Sequence, residues 1–176
     1  MKKILMEDII INKVAQSGLI TLDLEKFYPS EEVVEFDLKE YLFMELILKE
    51  KDFRDALAKK DWPIFENKYV AIHCSTEAII PLWAYMLATS YLQPFAKEII
   101  YGTKESVLDQ ILLKNINAID SKEYEEKRVV VKGCGDKKIP EAAYVAISGL
   151  LTPVAKSIMY GEPCSTVPIY KAPKKR

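Results

Sequence analysis

The chain has 176 residues, 25 of them Lys or Arg against 26 Asp or Glu, a formal net charge of −1 at pH 7 and 49% hydrophobic residues. A length of this order suits one domain, residues 1–176, able to bury about 70% of its unfolded surface without disulfide or metal staples. The near-zero charge argues against nucleic acid, whose binders carry a strong basic stripe, and no stretch approaches the ~18 consecutive uncharged apolar residues of a membrane span.

Glu7 and Asp8 interrupt the apolar run of Met1–Lys13 too early for a signal peptide, so the reading is cytoplasmic. Met6–Ser17 is predicted as a short helix with Ile10, Ile11, Val14 and Ala15 on one side and Gly18 beyond its end. Ile20, Leu22 and Leu24 alternate with polar residues as in a half-buried strand. Val33–Leu38 alternates again, Tyr41–Leu48 is apolar but ambiguous between helix and strand, and Asp52–Lys60 has helical spacing that ends at Trp62-Pro63. This first third carries no catalytic pattern.

The remainder says one thing twice. Lys68–Gly102 and Arg128–Gly161 align with Cys74 on Cys134 at a shift of 60. One deletion later the shift becomes 59. Eleven identities then follow over 23 columns: Ile80/Ile139, Pro81/Pro140, Ala84/Ala143, Tyr85/Tyr144, Leu92/Leu151, Pro94/Pro153, Ala96/Ala155, Lys97/Lys156, Ile99/Ile158, Tyr101/Tyr160 and Gly102/Gly161. Unrelated segments of ordinary composition would share about one or two. Each copy opens with a β-branched run, Tyr69–Ile72 or Val129–Val131, suited to a strand covered on both faces. A cysteine follows, then a helix, capped by Ser75 or Thr76 in the first copy and started at Pro140 in the second. A proline and a strand ending in Tyr-Gly close each copy, and Lys104–Ala118 is an amphipathic helix between them, capped by Thr103.

The expected architecture is therefore α/β: a mainly parallel sheet core built from two βαβ units, 68–102 and 128–161, with an N-terminal α+β portion added and a basic tail over 169–176. A pseudo-two-fold between the units would set Tyr69–Ile72 and Val129–Val131 side by side and parallel, with Cys74 and Cys134 facing each other across the crevice at the switch point. Cys164, three residues past the closing strand of the second copy, would join them at the carboxyl edge.

The three cysteines lie among small or polar neighbours, in His73-Cys74-Ser75-Thr76, Gly133-Cys134-Gly135-Asp136 and Pro163-Cys164-Ser165-Thr166. Such loops supply the amides and hydroxyls that hold a thiolate. They could equally be packing residues, since free cysteine is often buried. A thiolate site would take zinc, iron or a labile iron–sulphur cluster, with Glu105, Asp136 or His73 as a fourth ligand. Glu105 qualifies because it occupies the place in the first copy that Cys164 takes in the second. His73 and Cys74 should point to opposite faces if the strand alternation persists. A tyrosine-phosphatase loop is excluded: six residues past Cys74 and Cys134 stand Ile80 and Pro140, not the arginine that clamps phosphate. No nucleotide-binding glycine pattern occurs.

Asn12–Ala15, Gly18–Leu24, Leu48–Phe53, Trp83–Met86, Val131–Cys134 and above all Lys156–Pro168 resemble, almost end to end, a domain-of-unknown-function family of small cytoplasmic bacterial proteins. The resemblance implies a genomic context near iron–sulphur assembly genes, and hence iron–sulphur assembly proteins as partners. It carries no functional residue. The leading expectation is a non-catalytic or accessory protein with a thiolate site at Cys74, Cys134 and Cys164. The rivals are a thiol enzyme using Cys74 as nucleophile and an interaction module whose cysteines only fill space.

Overall fold

A computed structural model describes residues 19–133 and 135–173. The helix expected over Met6–Ser17 lies outside them. The described elements are β1 (Leu19–Asp23), β2 (Val33–Asp37), β3 (Leu42–Phe43), β4 (Ile47–Leu48), α1 (Glu50–Lys59), β5 (Tyr69–His73), α2 (Leu82–Leu92), β6 (Glu98–Tyr101), α3 (Lys104–Asn117), β7 (Arg128–Lys132), α4 (Glu141–Leu151), β8 (Ser157–Glu162) and β9 (Ser165–Lys171). They form an α/β fold with two largely parallel sheets, ordered β2-β5-β6 and β1-β7-β8-β9, and a separate β3-β4 hairpin.

The chain divides into two compact units, residues 28–114 and residues 1–27 with 115–176. In the first, β5 lies between parallel neighbours β2 and β6, and all five of its residues are buried. A middle strand covered on both faces must be apolar throughout, and Tyr69–His73 meets that demand with a single polar residue. On one face Val70 and Ile72 pack with Phe36, Phe53, Leu57, Trp62, Phe65, Ala84, Ala88 and Leu92. On the other, Tyr69 and Ala71 pack with Val33 and with Val107 and Ile111 of α3. Thr103 caps α3 as expected, its Oγ1 accepting from Ser106 N at 3.3 Å.

In the second unit β7 lies between parallel neighbours β1 and β8. Val129, Val130 and Val131 are buried together with Ile139, Ala143, Ile147, Leu151 and Ile158. Strand β8 continues through a tight turn into antiparallel β9. The segment expected as a basic tail thus begins inside a strand, because Ile169–Lys171 belong to β9.

Two expectations are corrected. The opening strands of the repeats are not neighbours: β5 and β7 belong to different sheets, since each pairs with a strand from the N-terminal third instead. Nor does the repeat need a deletion. A single shift of 59 relates Tyr69↔Glu98 to Arg128↔Ser157 and α2 to α4. It also relates the left-handed residues Asn67 and Glu126, at φ 58° and 55°, and the positive-φ glycines Gly102 and Gly161. The bonds Lys97 N to Lys68 O (2.9 Å) and Lys156 N to Lys127 O (2.8 Å) repeat under the same shift. Cys74 therefore corresponds to Gly133, and Cys134 to Ser75.

The capping residues differ too. Helix α2 starts at Leu82 after Pro81, with no side-chain cap, because a residue before proline is driven out of the helical region. Residues 74–80 are left as a loop at the carboxyl edge.

Candidate functional site

Each unit ends its parallel strands on an edge built from the same parts. Asp37 closes β2 and Asp23 closes β1. Each turns its carboxylate back onto the chain, Asp37 Oδ1 accepting from Lys39 N at 2.9 Å and Asp23 Oδ1 from Glu25 N at 3.1 Å. This is the short-range capping that aspartate performs at strand-to-turn junctions. A pair of tyrosines stands over each edge in T-shaped contact: Tyr85–Tyr101 at 5.7 Å and 78°, Tyr144–Tyr160 at 5.7 Å and 76°.

In the first unit Asp37 also accepts from Ser75 N at 3.0 Å, which ties the 74–80 loop to β2. Partial burial pushes the Asp37 carboxyl up, but hydrogen bonds from Ser75 and Lys39, aided by the nearby His73, together hold it below the ordinary range. Cys74 is half-buried beside this anchor. It packs against the aromatic core, and its Sγ donates to Thr76 O at 3.6 Å. Burial raises the Tyr85 phenol, and the neighbouring Tyr101, Cys74 and Asp37 add to the rise.

His73 does not share this place. It is only 9% exposed, and its Nε2 lies 3.3 Å from Glu35 Oε1 without the geometry of a hydrogen bond. It follows Tyr69 and Ala71 on the α3 face, whereas Cys74 follows Val70 and Ile72 on the α2 face. The expected opposition of the two side chains holds, and His73 stands away from the thiol.

In the second unit the same edge holds Gly133, and the reason is steric. A Cβ there would lie 2.2 Å from the Tyr144 hydroxyl, which donates to Gly133 O at 3.2 Å. Gly135 is close to Glu25, whose Oε1 would be 1.9 Å from a Cβ. That oxygen is buried and has no hydrogen-bond partner among the described residues. The two glycines thus make room for Tyr144 and Glu25. A hydrogen bond from Lys132 to Glu162, at 3.1 Å, raises the lysine, with Asp23 and Glu25 adding to the effect.

Cys134 itself lies outside the described residues. Cys164 is exposed in the turn between β8 and β9, and Asp136 is exposed in the 133–139 loop. Glu105 sits exposed in the first turn of α3, so its sequence counterpart Cys164 occupies a different kind of element. Cys74, His73 and Glu105 belong to one unit, and Asp136 and Cys164 to the other. Among the described residues no three of His, Cys, Asp and Glu gather as metal ligands. Asp37, Tyr85 and Tyr144 are edge residues that the reading of the cysteines passed over, although both tyrosines stand among the repeat identities.

A match to the family described as proteins of unknown function (DUF2480) runs over residues 8–172. The chain belongs to the DUF2480 family. No curated protein matches it, and no solved structure does. Among the described residues of this DUF2480 protein no helix is long and apolar enough to cross a membrane.

Proposed function

We propose that this DUF2480 protein is a non-catalytic, accessory cytoplasmic protein. It holds zinc, iron or a labile iron–sulphur cluster on cysteine thiolates from its carboxyl-edge loops, and it serves iron–sulphur handling alongside assembly proteins. The observation that carries the reading is the separation of Cys74 from His73. A nucleophilic cysteine works beside a base that takes its proton. Here the sole histidine lies on the opposite sheet face, near Glu35, and Cys74 has a backbone carbonyl as partner. The separation from His73 takes away the base that a nucleophilic Cys74 would need, whereas metal ligation needs no such neighbour. Cys134, between two glycines in the sequence, and Cys164, on an exposed turn, are the other thiols of the chain.

A second reading has its own support. Cys74 packs against the aromatic core, as it would in an interaction module whose cysteines fill space.

Metal content decides between them. Protein purified without oxygen or chelators should retain about one metal equivalent per chain. Cys134→Ser should abolish retention and leave the far-UV circular dichroism unchanged. Unchanged metal content in that variant would sink the thiolate reading. Metal-free wild type with three unreactive thiols would leave the interaction module, and one thiol of abnormal reactivity at neutral pH would mark an enzyme.

A further inference from the structure

The shift of 59 supplies an internal control for the surface of α2. Ile79, Leu82, Met86 and Tyr101 are 94%, 80%, 73% and 70% exposed. Leu82 and Met86 lie one turn apart on the outer side of α2, and Ile79 stands in the loop just before it. Tyr101 joins them through its ring contact with Tyr85. Their counterparts in the second unit are Lys138, Glu141, Val145 and Tyr160. The same fold position accepts charge there, so the apolar residues of α2 are not required by the fold. A contiguous exposed apolar patch of this kind marks an interaction surface.

The observations favour one occupant. The four side chains expose on the order of 600 Å² per molecule, so two such patches facing each other can bury at most about 1,200 Å² between them, near the lower bound of a specific interface. From Ala78 to Ala96 the chain carries no charged residue. Because α2 itself carries no charge, it can meet its own copy about a two-fold axis with no like charges of the two helices opposed. Antiparallel packing of α2 on its copy also opposes the two helix dipoles. Ser90, one turn beyond Met86, already donates its hydroxyl to Leu87 O at 2.7 Å, so it loses no hydrogen bond when covered.

We infer that the outer face of α2 pairs with the same face of a second copy of this chain, forming a two-fold dimer. The inference is independent of the thiolate reading. Sedimentation velocity in excess reductant and chelator tests it on the full chain. Wild type should associate reversibly in the micromolar range that a small apolar interface supports, about 1–50 µM. Leu82→Glu and Met86→Lys, each on an exposed position, should weaken the dimer at least ~30-fold while the melting temperature, read well below the dissociation constant, stays that of wild type. Ile79→Lys, in the loop, gives an independent third variant. Val145→Lys, at the matching place in the other unit, should leave the dimer intact. Wild type that stays monomeric overturns the proposal and leaves a different protein as the patch's partner. A dimer that the α2 variants do not weaken, or one lost in reductant or chelator, overturns it in favour of another face or a thiol-mediated link.

Discussion

The two units share a core of three parallel strands and one helix, β2-β5-α2-β6 and β1-β7-α4-β8, and differ in what fills it. In the 28–114 unit the sheet face under α2 is covered by rings: Phe36 stacks on Tyr41 and Trp62, Tyr41 meets Phe53 edge-on, and Trp62 stacks on Tyr91. In the other unit the matching core is aliphatic, with Val131, Ile147, Leu151 and Ile158 buried around β7 and α4. The devices that recur unchanged are backbone devices: the strand-ending aspartates, the left-handed residues before the central strands, the prolines before the helices and the Tyr-Gly strand ends. Either kind of core satisfies the scaffold. The carboxyl edges, Cys74-Ser75 in one unit and Gly133-Cys134 in the other, depart from this common plan, and at Gly133 the departure makes room for the Tyr144 hydroxyl.

The contrast between the cores gives the largest expected effect. Phe53 is fully buried, with Tyr41 at 5.2 Å and Trp83 at 6.2 Å. Phe53→Ala should cost about 3–5 kcal/mol, because rigid neighbouring rings cannot collapse into the cavity. Ile147→Val, in the aliphatic core, should cost about 1 kcal/mol. Urea denaturation measures both. Equal losses would mean that the aromatic core is no more tightly interlocked than the aliphatic one.

The edges give the next effect. Gly133→Ala drives a methyl group into the Tyr144 hydroxyl and should cost about 2 kcal/mol. Tyr144→Phe in the same chain should recover most of that loss by removing the clashing oxygen. Cys74→Ala, at the corresponding place in the other unit, should cost about 1 kcal/mol, since it removes one partly buried sulphur. A Gly133→Ala protein as stable as wild type would show that the two edges are not built to different clearances.

Much of this was legible in the residues. The β-branched runs, the prolines and the eleven identities located both βαβ units. The apolar alternation of Ile20–Leu24 and Val33–Leu38 located the two N-terminal strands. What escaped was their pairing. Leu22-Asp23-Leu24 and Phe36-Asp37-Leu38 form a short repeat at a shift of 14, and these are the strands that complete each sheet. Strand partners separated by 36 and by 109 residues leave no local signal, and the relation visible in the residues, one copy beside the other, is not the spatial one. The one-residue slip of Cys74 onto Cys134 had a similar origin. An identical cysteine is a conspicuous match, but the left-handed backbone at Asn67 and Glu126 and the strand pairing fix the register at 59 and make Gly133 the counterpart of Cys74. The opposite faces of His73 and Cys74, by contrast, follow from strand alternation alone.

The smallest effect tests the aspartates that the two units have in common. Asp37 accepts two backbone N–H groups, from Lys39 and Ser75, and so binds the cysteine loop to β2. Asp23 accepts one, from Glu25. Replacing each by alanine at pH 7 should cost about 1–1.5 kcal/mol at Asp37 and about 0.5–1 kcal/mol at Asp23, one cap-like hydrogen bond separating them. The Asp37 carboxyl titrates below its ordinary value in the folded chain because its hydrogen bonds and His73 together outweigh its partial burial. A depressed folded-state value means that the carboxylate's contribution is fully present above the unfolded-state value, near 3.9, and is lost as pH falls through the folded-state value. The difference in unfolding free energy between wild type and Asp37→Asn should accordingly be constant from pH 7 to about pH 5 and shrink below about pH 4. Solvent screening at this half-exposed group keeps the charge-dependent part under about 1 kcal/mol. A difference that persists undiminished at pH 3 would show that the negative charge of Asp37 does nothing for the loop, and that its hold on Ser75 rests on shape alone.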